Sequence, residues 1–142
     1  MKDFKLNFIH LCDETIFSQD GKLSLIGIFE VVNVAAFPGS LLRAFLVFNL
    51  NLLNKTLNKV DLDITIKKDG TEKEVLKLPT LTPSFAKNAD NAELKLGITL
   101  QLNNIIFQEA GKYFIELKVN KELVGKLGFD VKLLDQKKGT VN

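Results

Sequence analysis

The sequence predicts an all-β protein, an antiparallel β-sandwich of about eight strands. Three observations lead there. No long run carries apolar residues at the 3–4 spacing of an amphipathic helix with caps at its ends. Short apolar runs instead recur along the chain, separated by turn-forming residues. Between two of them stands Asp69-Gly70, a pair whose ready access to positive φ makes it a strong hairpin signal.

The elements follow in order. Lys2–Cys12 alternates, with Phe4, Leu6 and Phe8 on one side, and reads as the first strand. Ser18-Gln19-Asp20-Gly21 is a turn. Lys22–Val34 is a second strand, Pro38-Gly39 punctuates the next connection, and Leu42–Leu52 is the third. Val60–Lys67 and Glu72–Leu78 flank Asp69-Gly70 as a hairpin. Pro79–Asn91 is the one long irregular loop. Ala92–Leu102 sets Leu94, Leu96, Ile98, Leu100 and Leu102 on one face, and Ile105–Phe107 reads as a short apolar bridge. Tyr113, Ile115, Leu117 and Val119 line a seventh strand. Leu123, Leu127, Phe129, Val131 and Leu133 are expected to face inward from the last. Residues 1–134 form one domain, and Asp135–Asn142 is a polar tail.

The bulk properties exclude several classes. At 142 residues the chain can bury about two-thirds of its unfolded surface without a metal or disulfide. A net charge of +2, from 19 basic and 17 acidic side chains, leaves no electrostatic footprint for nucleic acid. Cys12 is the single cysteine, so no internal disulfide forms. The start lacks a continuous apolar signal core, and no stretch approaches the ~20 apolar residues of a membrane span. The expectation is a cytoplasmic protein with no cofactor, no nucleic acid and no membrane as partner.

Two kinds of strand share the chain. Val60–Lys67 alternates apolar and polar, as a strand with one wet face does. Leu23–Phe29 and Ala44–Phe48 are apolar on both faces, so something covers the outer side of the early sheet. With Phe4, Leu6, Phe8, Leu25, Phe29, Leu46 and Phe48 inward, period 2 turns Ile9, Leu11, Ile26, Ile28, Phe45 and Val47 outward together. Such a patch marks a protein-contact surface. A second copy of the chain is the simplest partner, because two-fold dimers dominate soluble oligomers. The competing cover is the Pro79–Asn91 loop, through Leu81 and Phe85.

Glu109-Ala110-Gly111-Lys112-Tyr113 resembles the tyrosine corner of immunoglobulin-like sandwiches, in which the Tyr hydroxyl bonds back to upstream backbone. Ile115 stands where an antibody domain carries its second disulfide cysteine, so the resemblance is to the architecture. The resemblance gives Tyr113 and Gly111 the role of a structural corner. A second resemblance is more particular. Cys12-Asp13, Gly21-Lys22-Leu23-Ser24-Leu25-Ile26-Gly27-Ile28-Phe29, Phe37-Pro38 and Leu123-Val124-Gly125 together are similar to an uncharacterised bacterial family of small β-sandwich proteins, a domain of unknown function. That resemblance implies a cytosolic sandwich and brings no activity, cofactor or partner.

Chemistry-bearing residues are sparse. His10 and Cys12 share a strand face, with Asp13 and Glu14 adjacent. Zinc wants four N, S or O ligands, and the chain has no other His or Cys to supply them. A Cys–His catalytic pair is the alternative reading, a small hydrolase or metal-dependent enzyme on the His10–Asp13 segment. Residues two apart on a strand, however, lie roughly 6.6 Å apart at Cα, long for a direct hydrogen bond. No catalytic residue and no metal ligand set is assigned. The sequence favours a non-enzymatic binding or assembly module, possibly homodimeric.

Overall fold

In the computed structural model, which describes residues 3–53, 57–84 and 94–134, the chain forms nine strands. They are β1 (Phe4–Phe17), β2 (Leu23–Ile28), β3 (Val31–Val34), β4 (Gly39–Leu52), β5 (Leu62–Lys68), β6 (Glu74–Lys77), β7 (Leu94–Phe107), β8 (Gly111–Val119) and β9 (Glu122–Leu133). The first sheet has the order β2-β1-β4-β7 and the second β3-β9-β8-β5-β6. This is an immunoglobulin-like β-sandwich, with one strand more than the sequence predicted.

The extra strand comes from a split. The apolar run from Leu23 to Val34 contains no turn signal, yet it serves both sheets. β2 pairs with β1, and Phe29-Glu30 then carries the chain across, where the Asp130 amide donates to the Glu30 carbonyl at 2.9 Å. β3 continues beside β9, with Val31 opposite Asp130 and Val34 opposite Leu133. That pairing is parallel, whereas every other ladder is antiparallel.

The predicted apolar faces build the core. Leu94, Leu96, Ile98 and Leu100 of β7 lie opposite Leu52, Leu50, Phe48 and Leu46 of β4. Ile64 and Ile66 of β5 face Leu117 and Ile115 of β8 from the second sheet. Fully burying such a side chain contributes roughly 1.5–3 kcal/mol. Phe107, Tyr113 and Phe129 close one end, with Phe107 edge-on to Tyr113 at 5.0 Å between ring centroids. Ile105–Phe107 is the continuation of β7 and no separate bridge, because Asn104 at φ 53° rephases the strand without ending it.

Departures from strict alternation explain the remaining differences. A register shift between Leu117 and Lys118 sets Leu123 opposite Lys118, so Leu123 is exposed rather than inward. Leu133, at the last residue of β9, is exposed as well. The Asp69-Gly70 hairpin forms with Gly70 at φ 78°. The tail 135–142 lies outside the described residues.

Candidate functional site

The outer face of the first sheet is where the two-faced strands meet. β1 carries a register shift between Leu6 and Phe8, at which Asn7 is the extra residue. The Asn7 side-chain amide donates to Asn49 Oδ1 at 2.7 Å and to Asn51 Oδ1 at 2.8 Å, which pins the bulge. Past it the alternation is inverted. Ile9 and Leu11 turn into the core, opposite Phe48 and Leu46, and Leu11 is 2% exposed. These two residues are therefore not part of the outer patch. Phe8, expected inside, takes the outer face and is 38% exposed.

The other four expected residues lie on that face as the sequence placed them. Ile28 pairs with Cys12, and Ile26 with Glu14. Phe45 and Val47 of β4 lie opposite Cys12 and His10. Ile26 and Ile28 are 46% and 53% exposed, while Val47 and Cys12 are enclosed by their neighbours at 1% and 0%. Around them the polar groups are few. Arg43 lies over the Phe45 ring at 4.9 Å and donates to Glu14 at 2.7 Å. That bond holds the Glu14 carboxyl below the usual range. Towards β7 the outward positions become Thr99, Gln101 and Asn103, so the apolar zone is confined to β2, β1 and β4.

His10 and Cys12 do share this face. The imidazole stacks on Phe8, with ring centroids 5.8 Å apart at 21°. Burial pushes the Cys12 thiol up, and the carboxylates of Asp13 and Glu14 add to the rise. A nucleophilic thiol needs the opposite shift. Among the described residues, no three His, Cys, Asp or Glu side chains gather as a metal set.

The family-like motif gains a physical reading. Gly27 adopts φ 69° in mid-strand, and a Cβ there would collide with an Asp13 carboxylate oxygen. Asp13 of the Cys-Asp pair thus occupies the space that the missing side chain leaves. The Phe29 amide donates to the Leu11 carbonyl at 3.0 Å just beyond, where the chain leaves the first sheet.

The described part of the 79–91 loop does not cover the patch. Leu81 exchanges backbone hydrogen bonds with Leu62, at 2.7 and 3.0 Å, and packs against the core along β5 of the other sheet. Thr82 donates to Asp61 at 2.9 Å beside it. Phe85 lies outside the described residues.

The second sheet offers a contrasting outer face. Lys67 and Lys126 flank Glu116 at 3.3 and 3.5 Å; burial works against the Glu116 charge, yet the two amines hold its carboxyl below the usual range. At the corner before β8 the Tyr113 hydroxyl donates to the Glu109 carbonyl at 2.6 Å. Gly111 at φ 145° leaves room for the Lys68 stem, whose ammonium meets Glu109 at 2.7 Å. A cleft of about 650 Å³ opens beside this corner, lined by Lys73, Val75 and Ile106 among others. Among the described residues no helix is long and apolar enough to cross a membrane.

Residues 7–132 match the model of a family described as a family of unknown function (DUF6941). No curated protein matches the sequence. Among solved structures, the chain is similar to an alkylpurine DNA glycosylase from Pseudomonas fluorescens, with a TM-score of 0.53, 14% identity and 92% of this chain covered. It is also similar to a β-glucosidase from Listeria innocua, at a TM-score of 0.48 and 11% identity over 88% of this chain. It spans 30% of the glycosylase chain and 16% of the glucosidase chain. An immunoglobulin-like protein from Pseudomonas aeruginosa is similar at a TM-score of 0.39 and 11% identity, over 92% of this chain and 97% of its own. At these identities the likeness to solved structures is one of fold.

Proposed function

The chain belongs to the DUF6941 family, and from that premise we propose that it is a non-enzymatic assembly module that binds a second copy of itself through the outer face of the first sheet. The observation that carries this is the apolar zone across β2, β1 and β4, where Ile26, Ile28 and Phe8, 38–53% exposed, share one face with Phe45. Scattered exposed apolar residues are ordinary on a surface, whereas a contiguous set marks a contact. Covering the exposed part of each contributes on the order of 1 kcal/mol.

Two features favour a second copy as the occupant. The charges beside Ile26, Ile28 and Phe45 are Glu14 and Arg43, already paired at 2.7 Å, while the unpaired lysines of the face, Lys5 and Lys95, stand at its other end on either side of Asn51. A two-fold axis also apposes like surfaces, and the apolar zone beside the Glu14–Arg43 pair can serve as its own complement.

Light scattering after size exclusion tests the reading with wild type, Ile28→Asp and Phe45→Asp. A wild-type dimer and folded monomeric variants support it. A wild-type monomer at the highest soluble concentration, or variants that stay dimeric, overturns it.

A further inference from the structure

We propose that the cleft beside the tyrosine corner binds a small amphiphilic carboxylate, a molecule with one anionic end and a short apolar chain. The inference is separate from the contact reading above. The cleft opens where β6 approaches the end of β7, whereas the apolar zone lies on β2, β1 and β4. At about 650 Å³ it falls within the size range of small-molecule sites.

Its apolar part comes from two elements. Asn104 at φ 53° changes the phase of β7, so Ile105 and Phe107 are buried and Ile106 between them is left 53% exposed. Across the cleft, half-buried Val75 is the extra residue at the register shift between β5 and β6. Both side chains keep apolar surface for a ligand chain to cover.

The charged part follows by elimination. Lys68, Lys73, Glu74 and Glu109 are the charged residues that line the cleft. The Lys68 ammonium meets Glu109 at 2.7 Å, which closes that pair. Glu74 lies opposite Lys67, whose amine stands on the outer face of the second sheet with Glu72 and Glu116. Asp69 and Glu72 line the hollow on that outer side. Lys73 remains, and among the described residues it forms no ion pair. The Thr71 hydroxyl accepts from the Lys73 amide at 3.3 Å and donates to the Lys68 carbonyl at 3.0 Å, which fixes the backbone that carries this amine. The Tyr113 hydroxyl is engaged by the Glu109 carbonyl, and Gln108 adds an uncharged amide.

The spare charge is thus one ammonium beside exposed apolar surface. Its field already reaches into the cleft, since the Glu109 carboxyl is held below the usual range by Lys68 and, in addition, by Lys73. A single ammonium matches a single negative charge, and Val75 and Ile106 favour a chain over a hydrated group. A cationic ligand would meet Lys73 with no free carboxylate to offset it.

Amide chemical shifts of isotope-labelled protein, followed through titrations with hexanoate, acetate, hexanol and hexylammonium, test this. Hexanoate is expected to shift the Lys73, Val75, Ile106 and Gln108 amides saturably, and to bind more tightly than acetate or hexanol. Hexylammonium leaves these amides in place. Lys73→Gln weakens hexanoate about fivefold, the loss of one exposed charge contact, and leaves hexanol unchanged. Ile106→Ser weakens both about fivefold. Both substitutions fall at exposed positions, and the rest of each spectrum checks the fold. No saturable shift of these amides with hexanoate, equal binding of hexylammonium, or wild-type hexanoate affinity in Lys73→Gln overturns the proposal, whichever oligomeric state the chain adopts.

Discussion

Asn7 donates a side-chain hydrogen bond to Asn49 across the β1–β4 pair, at 2.7 Å, at the one place where β1 carries an extra residue. This contact decides which side chains the first sheet shows to the outside. Without the bulge, Ile9 and Leu11 would face out and Phe8 in. With it, the core receives two branched aliphatics, and the outer face receives Phe8 and His10 as a stacked pair.

Asn7→Ala removes both bonds to the β4 asparagines. A net hydrogen bond contributes about 1 kcal/mol, so the variant loses about 1–2 kcal/mol in urea unfolding. Wild-type stability in Asn7→Ala would mean that packing of Ile9 and Leu11 holds the register by itself.

Tyr113→Phe keeps the ring between Phe107 and Phe129 and deletes the hydroxyl that bonds Glu109. The expected loss is about 1 kcal/mol, a drop in melting temperature of roughly 3 °C for a domain this size. An unchanged melting temperature would show that the corner is held by the rings alone.

Gly27→Ala meets two obstacles, a backbone at φ 69° and the Asp13 carboxylate. The first costs about 1–2 kcal/mol whatever the neighbours do. The carboxylate is the far end of a short side chain and can rotate away. Destabilisation by Gly27→Ala is therefore expected to fall in an Asp13→Ala background without vanishing. Full additivity of the two changes in a double-mutant cycle would contradict the contact.

Cys12 is buried at the centre of the face, and its thiol is raised. Thiol reagents are expected to label it only on unfolding, at a rate set by global opening. A raised thiol stabilises the folded state below the ordinary value of 9.0, and that contribution drains as pH rises past it. Fast labelling of folded protein near neutral pH would contradict this and point to a reactive site.

Much of this was legible because local chemistry and period agreed. Asp69-Gly70 announced a hairpin through backbone freedom, and the leucines from Leu94 to Leu102 announced a face through strict alternation. Glu109–Tyr113 announced a corner through its resemblance to the tyrosine corner of immunoglobulin-like sandwiches. Reading failed where a single residue changes phase. The bulge at Asn7 is invisible in a segment where both parities are apolar, and Leu123 was misplaced for the same reason beyond Leu117. The one available hint was on the partner strand, where Asn49 and Asn51 put two amides on the outward side. The split of Leu23–Val34 between sheets left no mark, since its two halves read as one continuous apolar run.

The central claim is that the face bearing Phe8, Ile26, Ile28 and Phe45 meets the same face of a second copy. Isotope-filtered nuclear Overhauser measurements on an equal mixture of labelled and unlabelled protein address it most directly. The account predicts intermolecular contacts from the Ile26 and Ile28 methyl groups to the Phe8 and Phe45 rings. Intermolecular contacts confined to the second sheet around Phe114, or none at all, would contradict it.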